Sequence, residues 1–384
     1  MSIPFHRPDI SQAEIDAVTE CLQSGWLTSG RKVKEFEDKF AAYVGAKHAI
    51  AVNSATSAAL LLLDVQNIGP GDEVIVPSYT FSGPAMMARK LGARVVFADC
   101  APGSHQIDPN EVAAKITDRT KVVMPTHFAG AAADIQKLNR ICAAKGVYII
   151  EDAAHAFPTT ERWGQKLVGA CSDGSLAAFF SFYATKTLAT GDGGMITTND
   201  EFLAGRLRQF RMHGMSVPVS DRYTRVGASW QYDIAFDGWK MNMTDIAAAM
   251  GIAQLHRADE MHQLRLAIAQ QYEEELQGFI GLRLPEIDVD HAAHLYVIRV
   301  DRKRDEFIRL MAEQGVQCSV HFIPLHMHTA WAPYAPVYDL PNASAMYHQS
   351  ISLPIYPSMT PADVSTVCEA VKFALKETKL CFAV

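Results

Sequence analysis

The sequence predicts an α/β protein: a large domain over residues 1–250 with a mainly parallel seven-stranded sheet covered by helices, and a smaller C-terminal α/β domain over 251–384. Three observations predict it. Short, nearly continuous apolar runs rich in β-branched residues recur at 50–52, 73–76, 95–97, 122–124 and 147–150. Helical stretches separate them near 55–67, 81–91, 109–116 and 134–144. Strands that are apolar on both sides and alternate with helices belong to a parallel sheet covered on both faces. The third observation is the absence of an internal repeat or low-complexity linker, so the two units join through ordered structure.

Two further strands are expected at 176–181 and 194–198, which brings the sheet to seven. Thr244 is placed to N-cap a long helix with Ile246, Met250, Ala253 and Leu255 among its apolar positions. That helix links the large domain to the C-terminal unit. Beyond it the pattern gives a strand at 295–300, a helix at 304–314, strands at 316–320 and near 351–353, and a helix at 361–376. The N-terminal segment is free to pack on the small domain.

Composition narrows the function classes. The 384 residues are 49% hydrophobic and 20% charged, ordinary for a globular chain. Lys+Arg 35 against Asp+Glu 42 leaves a net charge of −7, and no basic block stands out, which argues against nucleic acid as a partner. The longest aliphatic run, Ala58 to Val65, contains Asp64 and falls far short of the roughly 20 residues a bilayer span needs. The opening residues, Met1 to Arg7, lack the apolar stretch of a signal peptide. The expectation is a soluble cytoplasmic protein with no membrane partner. Seven cysteines without a CxxC pair read as reduced thiols. His321, His326 and His328 invite a metal, but Pro324 breaks helical spacing and no acid or thiol stands at ligand distance in sequence, so no metal is expected.

Three features fall where the ligands of open parallel sheets bind, beyond the carboxyl ends of strands. Asn53-Ser54-Ala55-Thr56-Ser57 follows the first strand and opens a helix. Small residues there let backbone N–H groups approach an anion, although Ser54 or Thr56 would equally serve as a plain N-cap. Glu151-Asp152 ends the strand at 147–150; either acid is an N-cap for the next segment or a partner for a protonated ring nitrogen. Lys186 follows the aromatic run Phe179-Phe180-Ser181-Phe182-Tyr183 and precedes Gly191-Asp192-Gly193-Gly194. Alone it reads as a surface lysine, but such surroundings also desolvate an amine and lower its pKa, as Schiff-base chemistry requires. In this order the three describe a pyridoxal phosphate site: an anion cradle, an acid for the pyridinium and an amine for the aldehyde.

The same residues carry a resemblance over essentially the whole chain. Gly25-Trp26-Leu27-Thr28-Ser29-Gly30, Asn53 to Ala58, Pro77-Ser78-Tyr79-Thr80-Phe81, Glu151 to His155, Ser181 to Lys186, Gly238 to Asp245 and His321 to His326 resemble the DegT/StrS sugar-aminotransferase family, which are fold-type I pyridoxal phosphate enzymes. The resemblance implies that Lys186 is the Schiff-base lysine and proton shuttle and that Asp152 holds the pyridinium proton. It implies that Phe81 stacks on the ring, and that Thr56, Ser57 and Ser181 hold the phosphate. Core packing is the alternative for Phe81. His155 stands where relatives often carry Gln, near the phenolic oxygen; a structural histidine is the alternative. Lys240 or Asn242 is expected at the phosphate of a neighbouring subunit, in a homodimer with composite sites.

The activity implied is transfer of an amino group from glutamate to a nucleotide-linked keto sugar, leaning to a 4-keto sugar, for surface polysaccharide, lipopolysaccharide or glycoside synthesis. The intact Lys186 argues against the related dehydratases, which carry histidine there. A keto cyclitol or other small keto compound is the competing substrate, and a non-catalytic regulator on the same fold is the competing class.

Overall fold

The computed structural model describes residues 2–163, 165–216, 231–333 and 339–380. The large sheet comprises β1 (His48–Val52), β2 (Glu73–Pro77), β3 (Arg94–Ala98), β4 (Thr120–Val123), β5 (Tyr148–Asp152), β6 (Ala177–Ser181) and β7 (Gly194–Thr198), in the order β1-β7-β6-β5-β4-β2-β3. Pairings among β2 to β6 are all parallel, whereas β7 runs antiparallel to both β1 and β6. The chemistry of the connections explains this. The β2–β3 and β4–β5 crossovers carry the helices Ser82–Lys90 and Ile135–Ala143, and the β5–β6 crossover is a long segment with no helix among its described residues. By contrast, β6 and β7 are joined by the glycine-rich turn alone, and a short connection suits an antiparallel pair. Gly194 starts β7 against the backbone of Ser54 and Ala55, where an added Cβ would lie 2.6 Å from the Ser54 carbonyl carbon. That contact seats the turn after Lys186 beside the first helix of the sheet.

The helix Ala55–Val65 is buried at Ala58 to Leu63, so its aliphatic run is core and not membrane. Asp64 at its end accepts a hydrogen bond from the Trp239 indole N–H at 2.8 Å. Among the described residues, no helix is long and apolar enough to cross a membrane.

The C-terminal residues form a three-stranded antiparallel sheet of β8 (Leu282–Arg283), β9 (Tyr296–Val300) and β10 (Ser350–Leu353), in the order β10-β9-β8. The helices Ala258–Leu276, Arg304–Glu313 and Pro361–Glu377 supply much of its core. The strand expected at 316–320 is reduced to two isolated bridges, Val316 with Ile3 and Ser319 with Ser352. Ile3 takes the backbone partners of that segment, donating to Gly315 O at 2.8 Å and accepting from Gln317 N at 3.0 Å, and its side chain joins this core.

The single long helix expected after Thr244 is instead two, Asp245–His256 and Ala258–Leu276, meeting at Arg257. Thr244 does cap the first, accepting from Ala247 N at 3.2 Å. Arg257 leaves helical geometry (φ −104°, ψ 7°) and binds Asp9 at 2.7 Å and Glu14 at 3.3 Å. Among the described residues four α-helices lie outside the sequence expectations: Gln12–Ser24, Arg31–Val44, Glu201–Phe210 and Pro341–Gln349. The first has a capping box between Ser11 and Glu14, a pattern visible in the sequence.

Candidate active site

The carboxyl ends of β1, β2, β4, β5 and β6 converge on a cavity of about 530 Å³. Its lining includes Ser54, Ala55, Thr56, Thr80, Phe81, Thr126, Asp152, His155, Ser181, Lys186 and Asp192, together with His294 and His321 from the C-terminal part. Phe5 and His6 of the N-terminal segment complete one wall.

Ser54 is the N-cap of the helix Ala55–Val65: its Oγ accepts from Ser57 N at 3.1 Å and lies 2.9 Å from Ser57 Oγ. Ser57 is therefore turned toward Ser54 and does not line the cavity, whereas Thr56 does. The first N–H groups of a helix have no acceptor within the helix, and the dipole favours an anion there. Gly83 approaches so closely that a Cβ would lie 2.8 Å from Thr56 Oγ1, so the threonine hydroxyl is held against the next helix. Phe81 is 57% exposed at the cavity, an aromatic face without a cover, and its ring meets that of Phe322 at 6.1 Å. Core packing is thus the wrong account of Phe81.

The adjacent acids separate cleanly. Successive residues of a strand point to opposite faces, and Glu151 leaves the cavity to meet His127 Nε2 at 2.7 Å. Asp152, 4% exposed, lines the cavity and accepts from Ala154 N at 3.1 Å. Burial raises its pKa to about 6, opposed by hydrogen bonding to Ala154 and by the charge of Lys186. Burial lowers Lys186 to about 8, with Asp152 opposing. The acid and the amine therefore share one desolvated space. The turn that carries Lys186 is tight: Phe182 N donates to Gly193 O and Thr190 N to Phe182 O, both at 2.9 Å. Ser181 lines the cavity from the end of β6.

His155 is buried, and its Nδ1 accepts from Ala129 N at 3.3 Å. Lys240 and Asn242 do not line this cavity. Lys240 Nζ donates to Asn242 Oδ1 and Asn242 Nδ2 donates to Ser29 Oγ at 2.7 Å, while Tyr232, Ile234, Phe236 and Trp239, just before them in sequence, are exposed. The three histidines weighed for metal go separate ways: His321 Nδ1 to Ser352 Oγ at 2.9 Å, His326 Nδ1 to Ser78 Oγ at 2.6 Å, and His328 Nε2 to Ile323 O at 3.2 Å. Among the described residues no group of three or more His, Cys, Asp or Glu side chains could hold a metal ion. Of the cysteines, Cys318 is half-buried, the other five described ones are buried and all six are unpaired; Cys381 lies outside the described residues.

The residues present fit pyridoxal phosphate on this structure's own terms. A helix N-terminus bordered by hydroxyls suits the phosphate, an uncovered aromatic face suits the ring, and a buried acid and a depressed lysine suit the two reactive ends. Sequence reasoning gave no role to Thr80, beside Phe81, and missed Thr126, His6 and His294, which reach the cavity from other parts of the chain. Thr80 and Thr126 bond to each other through their hydroxyls at 2.9 Å.

Residues 8–372 match the DegT/DnrJ/EryC1/StrS aminotransferase family. The chain is 46% identical over 385 residues to the spore coat polysaccharide biosynthesis protein SpsC of Bacillus subtilis, covering 97% of each chain. Its fold is similar to the putative sugar aminotransferase Spr1654 from Streptococcus pneumoniae in its PLP form, with a TM-score of 0.89, 29% identity and coverage of 98% and 99%. Helicobacter pylori PseC, an aminotransferase of pseudoaminic acid biosynthesis, is similar at a TM-score of 0.90 with 25% identity, covering 98% of this chain and 100% of that one.

Proposed function

The chain belongs to the DegT/DnrJ/EryC1/StrS aminotransferase family, whose members use pyridoxal phosphate, and on that premise we propose that it moves an amino group from glutamate to a 4-keto sugar carried on a nucleoside diphosphate. The observation that carries the reading is the pairing of Asp152 and Lys186 in one desolvated cavity, each shifted by burial toward its neutral form. The names of SpsC, Spr1654 and PseC support a sugar as acceptor and polysaccharide synthesis as the setting.

The bound cofactor supplies an aldehyde for the amine and a ring that takes up electrons. The chain's own residues do the rest. Lys186 Nζ, neutral in part near pH 8, would take the proton that leaves the amino donor's carbon and, in the second half-reaction, supply one to the acceptor's carbon. The Asp152 carboxylate would hold the ring nitrogen's proton, and Phe81 would cover the ring face. Thr56, Ser181 and the helix N-terminus at Ala55 would hold the phosphate; Ser57 steadies Ser54. His155 would meet the phenolic oxygen.

Lys240 and Asn242, bonded to each other away from their own cavity, support the reading that this segment serves the phosphate of a second copy. The exposed apolar side chains beside them give such a copy a surface to cover. In a closed two-fold dimer both crossings form at once. A Lys186→Ala chain mixed with a chain altered at both Lys240 and Asn242 is expected to recover activity in heterodimers. No recovery after subunit exchange, or an active monomer in sedimentation, overturns the shared site.

The test of function is a panel of nucleotide-linked keto sugars and keto cyclitols with glutamate as donor, followed by the 2-oxoglutarate released. Turnover of a nucleotide-linked 4-keto sugar is the expected result. Preference for a keto cyclitol, or a yellow protein with no turnover of any acceptor, excludes the reading.

A further inference from the structure

Two histidines on the cavity wall have ring nitrogens whose roles the packing assigns. His155 Nδ1 accepts from the Ala129 N–H, so the single proton of the neutral ring is on Nε2. His294 lies beside it, ring centroids 4.5 Å apart and inclined at 51°. The His294 ring lines the cavity at 5% exposure, while its Nδ1 is sealed from solvent and has no hydrogen-bond partner among the described residues. A buried N–H without an acceptor is rarer than an under-used acceptor. Nδ1 therefore carries the lone pair, and Nε2 carries the proton and is the nitrogen able to meet a ligand. Both rings stay neutral. Burial holds each well below the ordinary histidine pKa, and the neighbouring Lys186 adds to it. His155, Arg265 and His321 act on His294 in the same direction, as His321 does on His155.

We propose that His294 and His155 form a two-donor site, presenting Nε2–H from two adjacent neutral imidazoles to one electron-rich oxygen in the cavity. Resting on the aminotransferase function proposed for this cavity, two oxygens have that chemistry: the phenolic oxygen of the cofactor and a carboxylate oxygen of the amino donor. His155 alone gives one N–H to a charge-bearing oxygen; a second donor in the same desolvated space strengthens the hold, because hydrogen bonds to charged acceptors are the strong ones. The site also explains why a ring with a sealed, unpaired nitrogen is kept against the cavity, a state that ordinarily carries an energetic cost.

The first measurement needs no activity. Long-range ¹H–¹⁵N spectra of ¹⁵N-histidine-labelled apoprotein, assigned with His155→Gln and His294→Gln, are expected to show both rings with the proton on Nε2. An Nδ1–H signal for His294 overturns the proposal whatever the enzyme's substrate. The second compares His294→Phe, which keeps a ring and removes the donor, with His294→Gln, which restores an N–H.

If the oxygen is the cofactor's, loss of a donor leaves more negative charge on it. The pH midpoint of the bound cofactor's visible absorbance then rises by about one unit in His294→Phe, a tenfold change, and returns most of the way in His294→Gln. If it is the donor's carboxylate, the midpoint is unmoved and KM for glutamate rises about tenfold, with Gln again rescuing. Folded variants, checked by thermal unfolding, in which neither quantity moves overturn the site. Should His294→Phe fail to fold, the tautomer spectra and His294→Gln compared with His294→Leu still decide it. A chain that binds the cofactor but aminates no sugar leaves the absorbance and tautomer readings intact, so failure of the function and failure of the site remain separate.

Discussion

The two acids at the end of β5 are neighbours in sequence and nearly equal in burial, Glu151 at 3% exposure and Asp152 at 4%, yet they face different worlds. On one side of the sheet Glu151 meets His127 Nε2, and His127 Nδ1 accepts from Ala133 N at 3.0 Å, so that chain of bonds is closed at both ends. On the other side Asp152 opens on a cavity shared with a depressed lysine. A buried polar group with complete partners holds structure together. One that opens on a cavity beside an amine is placed to meet a ligand.

The open side has its largest expected effect at Lys186. Lys186→Ala is expected to abolish transamination and leave the cofactor bound without a covalent link. Borohydride reduction of the native holoenzyme and then peptide mapping checks it, and a pyridoxyl label on any other lysine removes Lys186 from its role.

Exchanging the acids one at a time breaks the comparison directly. Asp152→Asn keeps shape and loses charge, and turnover is expected to fall about 10²-fold or more, roughly 2.7 kcal/mol of barrier. Glu151→Gln strikes the closed side, where it turns the hydrogen bond that His127 donates to a buried carboxylate into one to a neutral amide, at a cost of about 1–3 kcal/mol of stability. Its melting temperature should drop, while turnover per cofactor-bound site changes far less than in Asp152→Asn. Equal catalytic losses in the two variants would falsify the division between the faces.

How much of this was legible in the sequence depends on how far away each partner lies. The strand runs, the cap at Ser54 and the turn after Lys186 are local patterns, and each was readable because its cause is within a few residues. The choice between Glu151 and Asp152 was legible only through the resemblance, which named Asp152: alternation says that they oppose, but only the position of His127 says which face is closed. The break at Arg257 depends on Asp9 and Glu14, and the loss of the strand at 316–320 depends on Ile3, all near the other end of the chain. His294 and His6 gave no local signal at all. His6 Nε2 donates to Ala184 O at 3.0 Å, a contact with the lysine-bearing turn that no spacing rule contains.

The smallest effect is also the one that sharpens the comparison most, because it reads the open side without any reaction. Burial lowers Lys186 to about 8 and raises Asp152 to about 6, while each is drawn back by the other's charge. In the apoprotein, labelling of Lys186 by an amine-reactive reagent should reach half its maximal rate near pH 8, well below exposed lysines, whose ordinary value is about 10.4. Asp152→Asn removes the charge that holds the ammonium, so the midpoint should move lower still. The same shifts set the sign of the stability change. From about pH 8 up to the ordinary lysine value the unfolded chain binds a proton that folded Lys186 has lost, so this group's contribution to stability rises with pH. Between the ordinary aspartate value and about pH 6, folded Asp152 keeps a proton that the unfolded chain has lost, so its contribution falls as pH rises. Glu151→Gln, on the closed face, should leave the labelling midpoint where it was. A midpoint near that of exposed lysines, or one that rises in Asp152→Asn, means that the acid and the amine do not share a desolvated space, and the contrast between the two faces of β5 is then lost.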